Sequence, residues 1–357
     1  MLFSLPVVST LQDCALWTKT IEPFWPQLYS LPKQLIAVRS VDDLQNVYLS
    51  NNPFMTAFVF ALVIGVITLV AAEINRNYSQ VDRLWSILPT IYNAHYCYWA
   101  HLEGLPTLKL DLVLLVSTLW SIRLSYNYWR KGGYNIGVED YRWPILRKQM
   151  GPYLFTILNW TFISFGQSIL LMLITAPTYI LLCTSRITSP STSLQLDTYD
   201  LIFPATWAFL LAIETLSDQQ QWRYHKAKHA YEKTAKIPSE YKNSFSSEDL
   251  DRGFLTSGLF AYARHPNYAA EMGVWLTLYV WGCYTSQTRW NWTVGAALAY
   301  VFIFLSSTPL TEGISTGKYD EYTIYQSGVG RFVPDVIKVA RGGFKGAQER
   351  ASGKKTK

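Results

Sequence analysis

Charged residues are scarce in this sequence of 357 residues. Asp, Glu, Lys and Arg together make up 16%, whereas soluble domains usually carry about a quarter. Half of the residues are apolar and 15% are aromatic. The shortage of charge argues against two ordinary soluble domains, which the length alone would allow. It favours a chain that lies largely within a membrane.

Motifs of the common soluble nucleotide-binding folds are also missing. No GxGxxG follows a predicted strand, and no GxxxxGK[ST] phosphate loop occurs. Any nucleotide that binds this chain would therefore use a fold other than a Rossmann domain or a phosphate-loop domain.

Cysteine is equally sparse. Cys14, Cys97, Cys183 and Cys283 are far apart in the sequence and form no CxxC pair. We find no cysteine and histidine spacing typical of a metal site, and we expect neither a metal nor a disulfide framework. The N-terminus also lacks the basic and apolar regions of a cleavable signal peptide. Membrane targeting is therefore expected to reside in the membrane spans.

Long apolar runs dominate what is present, and they predict an all-α polytopic membrane protein with about seven transmembrane helices. The clearest run is Phe54–Ala72, which has no charge and is close to the ~20 residues that cross a bilayer. Pro152–Leu182 fits either one long tilted helix or two short ones, and Pro177 permits a kink. The other predicted spans are Leu84–Ala100, Leu112–Tyr128, Leu201–Leu216, Tyr268–Tyr284 and Trp290–Leu310.

Lysine and arginine positions orient these spans. If 152–182 is one span, the segments 73–84, 129–152, 217–266 and 311–357 share a side and hold most of the 31 cationic residues. The positive-inside rule places that side, including the C-terminus, in the cytosol. Cytosolic loops beside anionic lipid account for the net charge of +6, so we expect no nucleic-acid partner.

We divide the chain into an N-terminal extension at 1–53, a transmembrane domain at 54–334 and a basic cytosolic tail at 335–357. The tail ends Lys354-Lys355-Thr356-Lys357, with lysines three and four residues from the C-terminus. This spacing resembles a dilysine retrieval signal and predicts an endoplasmic reticulum membrane protein. A plain solubilising tail is the alternative.

The stretch Ser257–Trp275 is the richest in candidate functional residues. Pro266 suits the first turn of a helix, so a helix is predicted to begin there. A cation beside a helix N-terminus can bind phosphate. The alternative is that Arg264 reaches lipid headgroups and Glu271 pairs with a neighbouring helix. The candidate residues here are Arg264, His265, Asn267, Tyr268 and Glu271.

A second polar stripe lies where the fifth predicted span ends. Glu214, Asp218, Gln221 and His225 recur every three to four residues, which places them on one side of a helix. A solvated face explains His225 well, but it explains Glu214 poorly because Glu214 lies within an apolar run. We therefore count Glu214, Asp218 and Gln221 among the candidate cofactor-binding residues.

Two tyrosines on a polar span and two residues near the C-terminus complete the candidates. The second predicted span is unusually polar, so we expect it to face the protein interior or a wet cavity. Tyr92 and Tyr96 lie one turn apart there and can donate hydrogen bonds to a substrate oxygen, although anchoring at the membrane interface is the alternative. Tyr322 and Arg331 can close over a cofactor from the cytosolic side.

Six short motifs occur in order along the chain. They are VDRLWS (81–86), YNYWRKGGY (126–134), EDYRW (139–143), ETLSDQQQW (214–222), ARHPNYAAE (263–271) and PLTE (309–312). Over roughly residues 54–334 they resemble the DUF1295 branch of the steroid 5-alpha-reductase superfamily. That superfamily includes sterol C14-reductases and, more distantly, isoprenylcysteine carboxyl methyltransferases.

The resemblance implies that NADPH binds in a cleft on the cytosolic side, between helix faces and a C-terminal segment. It also implies reduction of a carbon–carbon double bond in a lipid-like substrate such as a sterol, a polyprenol or a fatty-acyl chain. The residues that it assigns to the cofactor cavity are Glu214, Asp218, Arg264, Asn267, Tyr268 and Glu271, with Tyr322 and Arg331 as further members.

This sequence departs from the family pattern in two places. Ala270 stands where these reductases usually have a glycine, so a methyl group is expected beside the cofactor. The N-terminal glutamate with which steroid-specific members hold the steroid ketone has no match that we can identify, which argues against a steroid substrate.

The expected chemistry is hydride transfer from the nicotinamide to an electron-poor double bond. Tyr92 or Tyr96 would polarise the conjugated carbonyl, and Glu271 would orient the cofactor carboxamide, which makes these three the catalytic candidates. Two alternatives stay open. One is a methyltransferase that uses S-adenosylmethionine on a lipid or prenylated substrate, and the other is a non-catalytic lipid-binding membrane protein.

Overall fold

The computed structural model describes residues 4–187 and 196–353. Within these residues the regular structure is helical, with no strand and a single isolated parallel bridge between Ala263 and Gly330. The all-α class predicted from the sequence is therefore confirmed. The dilysine-like sequence at 354–357 lies outside the described residues.

The helices follow one another in chain order. The first group is α1 (Trp17–Thr20), α2 (Gln27–Ala37), α3 (Val41–Ser50), α4 (Pro53–Asn75), α5 (Leu88–Leu102), α6 (Leu108–Arg130), α7 (Arg142–Leu158), α8 (Gln167–Leu173) and α9 (Ala176–Ser185). The second group is α10 (Thr198–Thr234), α11 (Ser247–Arg252), α12 (Pro266–Thr285), α13 (Val294–Lys318), α14 (Tyr322–Gly328), α15 (Val336–Ala340) and α16 (Gly343–Gly353). A π-helix at Asn159–Gly166 joins α7 to α8, and short 3-10 helices occur at Leu11–Ala15, Glu22–Phe24, Ser239–Tyr241 and Gly258–Ala261.

Four helical stretches of the described chain are long and apolar enough to cross a membrane. They are α4, the stretch Arg142–Ser185, α10 and α13. We therefore treat the chain as a multi-pass membrane protein. The other three predicted spans fall on α5, α6 and α12, which have 15, 23 and 20 residues. The count of seven spans stays a prediction.

The predicted span Pro152–Leu182 is not one regular helix. Its middle is the π-helix at Asn159–Gly166, and a turn at residues 174–175 separates α8 from α9. Pro177 lies in the first turn of α9, where the missing N–H of proline costs no hydrogen bond. The break therefore precedes the proline rather than forming a kink around it.

The chain divides into two compact units. Unit 1 comprises Met1–Trp207 and Trp275–Tyr300, and unit 2 comprises Ala208–Val274 and Val301–Lys357. The N-terminal extension belongs to unit 1 and the basic tail to unit 2.

Unit 1 has a core of buried aromatic side chains. Trp120, Trp207 and Trp275 are buried, and Trp275 packs edge-on against the other two, with ring centroids 5.1 and 5.5 Å away. Buried Asp200 accepts a hydrogen bond from the indole of Trp281 at 2.9 Å. Lipid tails are as apolar as the helix surfaces, so close packing and hydrogen bonds of this kind hold membrane helices together.

The VDRLWS and EDYRW motifs are in contact within unit 1. The indole N–H of Trp143 donates to Asp82 at 2.8 Å, and the backbone N–H of Asp140 donates to the hydroxyl of Ser79 at 2.8 Å. These bonds join the start of α7 to the loop that precedes α5. Part of the polar character of both motifs therefore serves to join two distant segments of unit 1.

Asn52 fixes the start of α4, the clearest membrane span. Its side-chain oxygen accepts from the backbone N–H groups of Phe54 at 2.9 Å and Met55 at 3.4 Å, which caps the helix. Its amide group donates to the hydroxyl of Tyr179 at 2.7 Å, and its backbone N–H donates to Gln27 at 2.8 Å. Asn52 is fully buried, so water cannot replace these bonds.

Replacing Asn52 by alanine should lower the melting temperature of the detergent-purified protein more than replacing Ser40 by alanine. Both residues cap a helix, but Ser40 does so in an exposed capping box at the start of α3, where a cap contributes about 1 kcal/mol. Loss of the buried bond to Tyr179 should add about 1–3 kcal/mol to the cost of Asn52→Ala. Equal melting temperatures for the two variants would contradict the role given to the buried amide.

Candidate functional site

Unit 2 contains all of the residues predicted to bind the cofactor. The α10 stripe, the start of α12 and the C-terminal segment all fall within its boundaries. The catalytic candidates are divided, because Glu271 belongs to unit 2 whereas Tyr92 and Tyr96 belong to unit 1. The unit 2 candidates are Glu214, Asp218, Gln221, Arg264, His265, Asn267, Tyr268, Glu271, Tyr322 and Arg331.

The side chains of the polar stripe on α10 become more exposed from Glu214 to His225. Glu214 is buried, Asp218 and Gln221 are half-buried, and His225 is exposed. The side-chain amide of Asn267 donates to the carboxylate of Asp218 over a long 3.5 Å. The polar stripe on α10 therefore contacts the first turn of α12. The two groups of candidate residues must be this close if they belong to one site.

Glu312, on α13, binds Arg264 and His265, the two candidate residues that directly precede α12. Arg264 donates from Nε to Oε1 at 2.6 Å and from Nη2 to Oε2 at 3.2 Å, while Nε2 of His265 lies 3.0 Å from Oε1. The amide of Gln326 donates to Oε2 at 3.2 Å, and Nε of Arg331 lies 3.7 Å from the same oxygen. The side chains of Arg264 and Glu312 are only 6% and 3% exposed. Arg264 and Glu312 therefore form a buried bidentate ion pair, and charged hydrogen bonds of this kind are stronger in a protein interior than in water.

Arg264 also binds the backbone of the C-terminal segment. Its Nη1 donates to the carbonyls of Gln326 at 3.2 Å and Val329 at 2.5 Å, and its backbone N–H donates to the carbonyl of Gly330 at 2.8 Å. Four of the five guanidinium N–H groups are thus used inside the protein. Arg331 differs, because its side chain is 45% exposed and offers a cation at the surface.

Aromatic rings flank this ion pair. His265 stacks on Tyr268 with centroids 5.1 Å apart and an angle of 18° between the rings, and Tyr268 contacts Phe304 edge-on at 5.1 Å. These contacts restrict the orientations of His265 and Tyr268.

Tyr322 is part of a hydrophobic cluster rather than an open surface. Its ring lies 5.0 Å from Phe254 and 5.7 Å from Tyr325, and the cluster continues to Val329 and Phe344. Burial raises the pKa of Tyr322 to about 12, so the phenol stays protonated at neutral pH. Tyr322 thereby anchors the short α14, which leads into the segment that Arg264 binds.

Glu271 and Ala270 are both buried in α12. Glu271 lies one turn after Asn267, on the same helix face. A carboxylate inside an apolar helix is costly and usually has a specific function in a membrane protein. The methyl group of Ala270 is packed within the protein rather than exposed to solvent.

Tyr92 and Tyr96 are buried on α5 in unit 1. Tyr92 lies 5.9 Å from the ring of Phe60, and Tyr96 lies 5.9 Å from the ring of Tyr179. Across residues 4–187 and 196–353, no atom forms a hydrogen bond with either hydroxyl. Their burial agrees with a span that faces the protein interior rather than the membrane interface.

Unit 1 has an apolar cavity and an apolar groove. The cavity has a volume of 300 Å³ and is lined by aromatic side chains that include Trp17, Phe54 and Trp292. The groove has a volume of 370 Å³ and lies open on the surface between α2 and α4, with Leu28 and Val63 in its wall. Their walls suit a hydrocarbon chain and carry few polar groups.

Glu312 was not among the residues predicted from the sequence. The residue belongs to the PLTE motif and is an acidic side chain within an otherwise apolar helix, which is the same signal that singled out Glu214 and Glu271. The backbone carbonyls that complete the Arg264 site carry no sequence signal. They could be found only from the structure.

Comparison with known proteins supports the family named by the sequence motifs. The family model described as "Protein of unknown function (DUF1295)" matches residues 68–329. The chain belongs to the DUF1295 family. An uncharacterized protein of Schizosaccharomyces pombe is 35% identical over 331 residues, which is 93% of each chain. No solved structure matches this DUF1295 protein. The wider link to the steroid 5-alpha-reductases stays a prediction.

Replacing Glu312 by glutamine should strongly destabilise the protein. The change removes the charge that pairs with Arg264 and leaves a buried cation, a loss that typically costs about 3–5 kcal/mol. Glu321→Gln is a matched control, because Glu321 pairs with Arg252 at 3.1 Å but is 41% exposed, and such pairs contribute about 1 kcal/mol or less. Thermal unfolding in detergent compares the two. A Glu312→Gln variant as stable as Glu321→Gln would show that the buried pair does not hold unit 2 together.

Proposed function

We propose that this protein is a membrane-embedded, NADPH-dependent reductase that acts on a carbon–carbon double bond of a lipid-like substrate. The observation that carries the proposal is the hydrogen bond between Asp218, in the polar stripe on α10, and Asn267, in the first turn of α12. Buried Glu214 and Glu271 extend the same polar surfaces into apolar helices. Ionisable groups in such positions usually mark a functional site.

The polar residues of unit 2 fit the groups of NADPH. Asp218 and Glu271 can accept hydrogen bonds from hydroxyl or carboxamide groups, and Asn267 can both donate and accept. Arg331 supplies a half-exposed cation for a phosphate. We give Arg264 a positioning role, because most of its donors already bind Glu312 and backbone carbonyls.

The residues of the chain would bind, orient and shield the reactants. NADPH, when bound, supplies the hydride. Asp218, Asn267 and Glu271 would orient the cofactor. Tyr92 or Tyr96 would donate a hydrogen bond to a substrate carbonyl, a contact that is stronger in a dry site than in water.

The proposal places the protein in the endoplasmic reticulum membrane with seven spans, and with the cofactor cleft and the C-terminus on the cytosolic side. The excess of lysine and arginine in the segments that contain the candidate residues supports this orientation. Cytosolic NADPH would then reach unit 2 without crossing the membrane.

NADPH should raise the melting temperature of the detergent-purified protein, and S-adenosylmethionine should not. A ligand present at 100 times its dissociation constant stabilises the folded state by about 2.7 kcal/mol, which thermal unfolding detects readily. Stabilisation by S-adenosylmethionine alone would favour a methyltransferase. Stabilisation by neither compound would favour a non-catalytic lipid-binding protein.

Two pairs of variants locate the binding site within the same experiment. Glu271→Gln and Asp218→Asn should reduce the NADPH-induced shift, whereas Glu248→Gln and Asp251→Asn, at exposed positions of unit 2, should leave it intact. Melting temperatures without ligand separate a loss of binding from a loss of folding. If Glu271→Gln and Asp218→Asn keep the full shift and normal turnover, the proposed site is wrong.

A further inference from the structure

Cys97, His101 and Asp111 form a compact cluster in unit 1 that the proposed reductase function does not use. Cys97 and His101 are one turn apart on α5, and Asp111 lies in the first turn of α6. Oδ1 of Asp111 is 3.1 Å from Sγ of Cys97 and 2.9 Å from Nε2 of His101. One ligand atom from each residue lies within 4.8 Å of those from the other two.

The three side chains are those that zinc binds in proteins. A thiolate, an imidazole and a carboxylate coordinate Zn²⁺ at about 2.3, 2.0 and 2.0–2.2 Å, which separates the ligand atoms of a tetrahedral site by roughly 3.3–3.8 Å. The shorter distances observed here are those of hydrogen bonds. A metal ion that replaced the bonding protons would need Oδ1 of Asp111 to move by only about 0.5 Å away from Sγ of Cys97 and from Nε2 of His101.

A second hydrogen bond orients the carboxylate of Asp111. The hydroxyl of Thr107, the residue before α6, donates to Oδ2 of Asp111 at 2.8 Å and so leaves Oδ1 directed to Cys97 and His101. Outer contacts of this kind orient the ligands of metal sites and raise their affinity. The helix supplies the other constraint, because residues four apart on α5 project from the same face.

The exposure of the cluster suits an ion that enters from solvent. Cys97 is buried, whereas the side chains of His101 and Asp111 are 54% and 41% exposed. One side of the cluster is therefore closed by protein and the other is accessible. A water molecule can occupy the fourth position of a zinc ion with three protein ligands.

We propose that Cys97, His101 and Asp111 bind a divalent zinc ion, with water as the fourth ligand. Binding releases the thiol proton of Cys97 to solvent and leaves His101 neutral, with its remaining proton on Nδ1. The ion joins α5 to α6 across the loop between them and does not depend on the proposed reductase activity. No metal was expected from the sequence, because one cysteine and one histidine four residues apart do not match the usual spacings of a metal site, and Asp111 joins them only in the fold.

Cobalt substitution tests the site, because Co²⁺ bound to a thiolate gives a sulfur-to-metal charge-transfer absorption that hydrogen-bonded side chains cannot give. Tag-free full-length protein in detergent, stripped with a chelator, should develop this band on titration with CoCl₂, reach saturation at one equivalent, and lose the band when ZnSO₄ is added. Metal analysis of the untreated protein should show zinc.

Matched variants assign the band to these residues. Cys97→Ser should abolish it, and His101→Ala should weaken cobalt binding at least tenfold, whereas Cys283→Ser, which removes another buried free cysteine of unit 1, should leave the band unchanged. His101 is more than half exposed, so its variant tests the site even if Cys97→Ser fails to fold. Absence of the band from the wild-type protein, or its survival in both ligand variants, would overturn the proposal.

Discussion

The ion pair between Glu312 and Arg264 is the interaction on which unit 2 depends. A carboxylate within an apolar helix is tolerated only when it is fully paired, because burial removes the water that would otherwise solvate it. Here the two carboxylate oxygens bind Arg264, His265 and Gln326. Arg264 in turn binds the carbonyl of Val329. One buried charge on the last third of α13 therefore joins the residues that precede α12 to the chain after α14.

This pairing determines which residues are free to meet a ligand. Arg264 was the obvious phosphate-binding residue in the sequence, yet the structure uses it to hold backbone carbonyls and Glu312. The half-exposed Arg331 follows directly on the segment that Arg264 holds. Because α12 is fixed at its first turn, Asn267 is held next to Asp218 on α10. The ion pair supports the proposed site without forming part of its surface.

Local chemistry made several features predictable from the sequence. α12 begins at Pro266, as predicted, because a proline at that position needs no hydrogen-bond partner. The burial gradient from Glu214 to His225 follows from their positions in and beyond an apolar run. Features that depend on distant partners were not predictable. The pairing of Arg264 with Glu312 and the approach of Asp111 to Cys97 leave no periodic pattern in the sequence. The turn at residues 174–175 was not predictable either, because it lies in a run without charges.

Hydrogen–deuterium exchange with and without NADPH tests the central claim, that unit 2 holds the cofactor, most directly. The account predicts slower exchange in peptides that cover residues 214–225, 262–272 and 322–334 when NADPH is added, and no change with S-adenosylmethionine. Protection confined to peptides of unit 1, or the same protection by S-adenosylmethionine, would contradict the account.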